Sequence, residues 1–202
     1  MRITIRTMFA LLLTIAAVSA RPAFAQNPAA GAGAMEKPRF DLALGYSYVH
    51  SNAPPGGCGC FNLNGGSFAL ARPFGTYGFA FAGDIGVTHS GAIASNGYGL
   101  TLSSYTAGIR YTPPLHQPVH PFSQILIGVA HSSGSLVQQT NASVSNAGAS
   151  FAALVGGGVD LNAGRRFSIR LVEADYLVTT FDNGSNNHQN NLRINAGVVF
   201  RF

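Results

Sequence analysis

The residues of this 202-residue chain with chemistry to offer are few, and most alternate with apolar neighbours. His131-Ser132-Ser133 sets an imidazole two residues before a hydroxyl, a spacing that puts a base and a nucleophile on one face of a strand. Such a pair also needs an acid to orient the base. Ser145 stands where a nearby acid would be wanted, and the next acid is Asp160, so no catalytic residue is assigned. Cys58-Gly-Cys60 is a disulfide candidate in an exported chain, although its ring would be very small. His50, His89, His131 and His188 gather toward one rim without the ligand spacing of a metal centre, so we expect neither metal nor cofactor. His116 and His120 fall toward the opposite rim and read as solvated turn residues. Gly156-Gly-Gly158 lacks the lysine and helix of a phosphate loop, and reads as strand bending or close packing.

The charged residues form a second group: Asp41, Asp84, Arg110, Asp160, Arg170, Glu173, Asp175, Arg193 and Arg201. These we place on the small, polar side of alternating segments, and eight such segments can be counted. In the first, Phe40, Leu42, Leu44, Tyr46 and Tyr48 oppose Asp41, Ala43, Gly45 and Ser47. The second, about 63–72, is weaker and carries Phe68 and Leu70. Phe79, Phe81, Ile85 and Val87 define the third; Tyr105, Ala107, Ile109 and Tyr111 the fourth; Ile125, Ile127 and Val129 the fifth. In the sixth, Phe151, Val155, Val159 and Leu161 oppose Asp160. The seventh opens on Phe167, Ile169 and Leu171, but Arg170 and Asp175 share a face only if a bulge lies between them. The eighth sets Leu192, Ile194, Ala196, Val198, Phe200 and Phe202 against Asn191, Arg193, Asn195, Gly197 and Arg201, with Val199 the apolar exception.

Composition says what bathes the apolar side. Hydrophobic residues make up 47% and charged residues 9%, against about 25% charged in a soluble domain. A basic head with Arg2 and Arg6, an apolar stretch and Ala23-Phe24-Ala25 read as a secretory signal peptide, residues 1–25, cleaved on export. Its loss removes three arginines and no acid, taking the net charge from +5 to +2 and leaving no case for a nucleic-acid partner. Residues 26–38 read as a periplasmic lead-in, and 39–202 as the folded domain. No later apolar run reaches the length of a membrane helix, so a membrane-embedded mature chain must be a closed barrel.

The expected fold is therefore all-β: an eight-stranded antiparallel up-and-down transmembrane barrel. Short links after the second, fourth and sixth strands and long Gly-, Ser- and Asn-rich loops after the others match the two unlike rims of such barrels. The aromatics Phe40, Tyr46, Tyr48, Tyr77, Phe79, Tyr105, Tyr111, Phe122, Phe167, Tyr176, Phe181, Phe200 and Phe202 fall mostly near strand ends, as interfacial girdles do. Eight strands leave a lumen that side chains fill. We expect the interior charges to pair into a polar plug with no open pore; the alternative is a narrow ion path.

The chain resembles the small outer-membrane β-barrels, the family of the OmpA transmembrane domain and the opacity-type porin-family proteins of the Gram-negative cell envelope. The matching residues are the signal peptide, Gly65-Gly66, Asp84-Ile-Gly86, Ala107-Gly-Ile-Arg-Tyr111, Pro121-Phe122 leading to Gly128-Val-Ala130, Arg170 to Asp175-Tyr176, and Phe202. The resemblance implies location in the outer membrane, contact with its lipids and lipopolysaccharide, and recognition of the last strand, with Phe200 and Phe202, by the barrel-assembly machinery. It implies a structural or surface-interaction role with loop partners unspecified. No peptidoglycan-binding domain is expected after the barrel. His131-Ser132-Ser133 is similar to the His-x-Ser pair of outer-membrane lipid A deacylases but lacks their acid. A lipid-modifying enzyme and a narrow-pore porin stand as alternatives, and a soluble ligand-binding barrel is disfavoured by the apolar outer face.

Overall fold

The computed structural model describes residues 40–51, 60–91, 99–115, 117–134, 147–164, 166–181 and 188–202. The expected signal peptide and lead-in, like Cys58 and His116, lie outside the described residues. Eight strands follow in order: β1 (Asp41–Ser51), β2 (Phe61–Phe74), β3 (Phe79–Ser90), β4 (Leu100–Tyr111), β5 (Val119–Gly134), β6 (Ala147–Asn162), β7 (Phe167–Thr179) and β8 (Gln189–Arg201). Each pairs antiparallel with its sequence neighbours, and β8 returns to β1 to close the barrel. The closure reaches the last residue: Phe202 N donates to Phe40 O at 2.9 Å, and Phe40 N to Phe202 O at 3.2 Å. Closure leaves no strand edge, which is what a membrane demands of a sheet.

Register fixes the shape. A circuit from Asp41 through its successive partners Ala71, Ala82, Gly108, Leu126, Leu154, Leu177 and Asn191 returns to β1 at Ser51, ten residues further along. Such a stagger, at about 3.3 Å per residue against strand spacings of about 4.8 Å, gives a tilt of about 40° and a backbone radius of about 8 Å. Each residue then climbs about 2.5 Å along the barrel axis.

Strands β2 and β5 run furthest beyond the expected segments, about 63–72 and about 122–131, and both extensions carry a proline. Pro73 of β2 lies beyond the last residue that pairs with β1, and Pro121 of β5 beyond the last that pairs with β4. Their missing N–H groups therefore cost no ladder bond on those sides. The tight β2–β3 turn has positive φ at Gly75 (65°) and Gly78 (85°), where glycine is the natural residue. In β7 the register shifts between Arg170 and Glu173, so that Leu171 and Val172 both face outward.

The outer wall is apolar. Phe81, Ile125, Ile127, Val129, Phe151, Leu171 and Tyr176 are all exposed. Aromatic rings crowd the short-turn rim: Phe74 stacks with Phe81 at 4.4 Å, Phe79 meets Tyr111 at 5.0 Å, and Phe167 meets Phe200 edge-on at 5.7 Å. Among the described residues the exposed arginines are Arg72, 5.3 Å from the Phe40 ring, and Arg166 in the β6–β7 turn. From Phe40 to His50 the wall rises ten residues, about 25 Å, the height of the apolar band of outer-membrane barrels.

Candidate functional site

The inner face divides into two layers stacked along the axis. The layer nearer the short turns carries charge. Arg193 of β8, almost wholly buried, donates to Asp84 of β3 at 2.5 Å and to Asp175 and Glu173 of β7 at 2.9 and 3.3 Å. Arg170 forks onto Asp160 of β6 at 2.9 and 3.2 Å and also pairs with Glu173 across the bulge. The bulge makes this possible, because in a regular strand Arg170 and Glu173, three residues apart, would point to opposite faces.

Glu173 joins these two groups, and Gln124 of β5 ties Arg110 of β4 to them. Its carbonyl oxygen accepts from Arg110 Nε and Nη2 at 3.1 and 2.8 Å, while its amide nitrogen donates to Glu173 at 3.2 Å and Asp175 at 3.1 Å. Asn195 Nδ2 also reaches Glu173, at 3.0 Å. The guanidiniums of Arg110 and Arg170 each lie 4.5 Å from the Phe122 ring centroid. A desolvated cation over a ring face gains about 2 kcal/mol. Phe122 thus departs from the girdle position expected for it: β5 turns its even-numbered side chains inward, and alternation overrides residue type.

Space for these long side chains comes from glycine. A Cβ on Gly156 would lie 2.3 Å from Asp175 Oδ1, and one on Gly86 would lie 3.2 Å from Arg193 Nη1. Gly158 lies beneath Phe122, where a Cβ would meet the ring at 2.8 Å. The run Gly156-Gly-Gly158 therefore serves close packing inside the barrel.

Arg201 and Asp41 stand apart from the cluster, at the short-turn mouth. They are 3.8 Å apart and partly exposed, and Arg201 also donates to Asn162 at 2.6 Å. Ser168 donates to the same Asn162 oxygen at 2.9 Å, and His120 lies 2.7 Å from its amide nitrogen.

The layer toward the long loops is largely apolar, with the buried Ser51, Asn191 and Thr179 hydrogen-bonded among its side chains, which the reading of a polar plug of paired charges did not foresee. Val49, Phe61, Leu63, Leu100, Leu102, Leu126, Leu154 and Leu177 pack together, with Phe181 against them. Leu63, Leu126 and Leu154 have no exposed surface. These side chains sit on the same inward faces as the charges, but nearer the other ends of their strands. A lumen of about 8 Å backbone radius has room for one layer of side chains from each wall, so this cluster closes it.

The remaining candidates lie on the outer face or the rim. His50 meets Asn62 at 2.7 Å, His89 meets Thr101 at 2.9 Å, and His131 lies opposite Ser103 on β4. His188 is exposed just before β8. Among the described residues no three His, Cys, Asp or Glu side chains gather as metal ligands. His131 and Asp160 occupy different environments: the imidazole is exposed outside, and the carboxylate is buried on Arg170. Cys60 is exposed ahead of β2. Phe200 and Phe202 both present their rings to the outside.

Neither a protein-family model nor a curated protein matches the chain. Solved structures do match. Neisserial surface protein A aligns with 81% of this chain and 97% of its own, at 17% identity and a TM-score of 0.59. Ail, the attachment invasion locus protein of Yersinia pestis, aligns over 83% and 100%, at 18% identity and a TM-score of 0.57. The outer-membrane protein OprG of Pseudomonas aeruginosa aligns over 82% and 96%, at 10% identity and a TM-score of 0.50. Identities this low speak to fold alone, and the fold is that of the small eight-stranded outer-membrane β-barrels.

Proposed function

We propose that this chain is an integral outer-membrane barrel with a structural or surface-interaction role, exported by its signal peptide and closed to solutes. One observation carries the reading: an apolar outer wall about 25 Å tall encloses a lumen filled by an ion-pair layer and an apolar layer. Water would leave that wall unpaid for, whereas hydrocarbon covers it. The long connections 52–60, 91–99, 135–146 and 180–188 all leave the same rim, and there the protein meets its surroundings. Outer-leaflet lipids and lipopolysaccharide are the partners proposed for the wall. The barrel-assembly machinery is the partner proposed for β8, through Phe200 and Phe202. The placement of His131 and Asp160 in separate environments supports a non-enzymatic role.

Planar-bilayer recordings of refolded residues 26–202, with the heat-shifted gel mobility of a folded barrel as control, test the closed lumen. We expect no steady conductance; a large steady one would restore the narrow-pore reading. Lipid A incubated with the protein should be recovered unchanged. Cleavage that disappears in His131→Ala would instead establish the enzyme reading.

A further inference from the structure

At the short-turn mouth one side-chain amide ties four strands together. Asn162, at the end of β6, accepts through Oδ1 from Ser168 of β7 at 2.9 Å and from Arg201 of β8 at 2.6 Å. Its Nδ2 lies 2.7 Å from Nε2 of His120 on β5. A guanidinium only donates, so Arg201 settles which end of the amide is the oxygen. Nδ2 then donates to His120, whose Nε2 accepts and whose proton sits on Nδ1. His120, read from the sequence as a solvated turn residue, is thus a neutral, half-buried acceptor on the inner face of β5.

We propose that this mouth is a proton-operated switch, in which protonation of His120 turns the Asn162 amide over and transfers Arg201 to Asp41. An imidazolium carries N–H on both ring nitrogens and cannot accept from Nδ2. Rotating the amide offers Oδ1 to His120 instead. The same rotation turns Nδ2 toward Ser168 and Arg201. The serine hydroxyl accepts as readily as it donates, but a guanidinium cannot accept, so Arg201 is expelled. Its next partner is in place: Arg201 Nε lies 3.8 Å from Asp41 Oδ1 across the seam where β8 closes on β1. A tie between β6 and β8 is exchanged for one between β8 and β1, and the mouth gains one positive charge.

The surrounding charges leave His120 free to act in this way. Asp160 faces it in register on β6, but both carboxylate oxygens are held by Arg170 of β7. Arg110 of β4 is turned to Gln124. Near this mouth β2 and β3 present Ala71, Ala80 and Ala82 to the lumen, which carry no charge. Burial, and after it the Arg201 guanidinium, hold His120 below the usual imidazole range, against the opposite pulls of Asp160 and Asp41. Neutral solution therefore keeps the arrangement seen here, and acid drives the exchange.

Two-bond 1H–15N NMR spectra of the refolded chain, residues 26–202, in detergent micelles read both the tautomer and the titration of His120. At neutral pH the proton is expected on Nδ1. On acidification the Asn162 side-chain amide and the Arg201 guanidinium should shift with the imidazole, at one shared midpoint below about 6.5. His120→Gln keeps an acceptor for Nδ2 and takes up no proton, so Arg201 should stay unchanged between about pH 7 and 5. Asn162→Asp accepts from an imidazolium without rotating. There the His120 midpoint should rise by at least about one unit, and Arg201 should no longer follow it. A proton on Nε2 at neutral pH overturns the switch. So does an Arg201 signal that titrates apart from His120, or one that moves equally in His120→Gln.

Discussion

Arg193 binds three carboxylates contributed by two strands, and its burial leaves no water to replace it. Removing one partner of a buried cluster costs more than the cluster contributes, because the remaining charges stay desolvated and face one another. Arg193→Leu is expected to lower stability by about 3–5 kcal/mol in denaturant titrations of the detergent-folded barrel. Adding Asp84→Asn and Asp175→Asn should recover much of that loss, since the two carboxylates left without a guanidinium are then neutral while Glu173 keeps Arg170. A triple variant no more stable than the single one would mean that Arg193 acts through packing instead. Phe122 and Gln124 show what residue type hides at this scale. A phenylalanine near a strand end suits a girdle, and a glutamine suits solvent, yet both lie inward beside Leu126 because Ile125, Ile127 and Val129 claim the other face.

At the scale of the strand, β7 is the one that departs from simple alternation. The clash between Arg170 and Asp175 signals a bulge in the sequence, and the register places it at Leu171 and Val172. Deleting Leu171 removes the residue that neither neighbouring ladder matches. Arg170, Glu173 and Asp175 then keep their inward faces on a regular strand, and the heat-shifted gel band should persist. Deleting Ala174 can be absorbed only by straightening the same bulge, which turns Glu173 onto the lipid face, and the shifted band should be lost. If both deletions behave alike, the bulge has no part in placing the charges. The long-loop and short-turn rims were legible from loop length, and the strand count from the alternation of apolar residues. The bounds of β2 and β5 were not, since prolines mark turns in a sequence and the overhangs that tolerate them appear only once neighbouring strands have been aligned.

For the whole molecule, the decisive quantity is the difference between what lies outside the wall and what lies inside it. Ile125 sits near mid-height and is 62% exposed. Ile125→Arg should cost about 2–4 kcal/mol in a bilayer, as basic substitutions at the midplane of the lipid face do, while Ile125→Val should cost little. Comparable losses for the two would place that face away from hydrocarbon. The sequence by itself determined the class, the number of strands, and the facing of nearly every residue on them. Those properties follow from a two-residue period that each segment carries alone. Tertiary structure alone decided the ten-residue stagger, the division of the lumen into a charged and a largely apolar layer, and the partners of Arg193. Each of these depends on the height at which a residue of one strand meets a residue of another. That height is set by closure of the whole ring, to which no single strand holds the key.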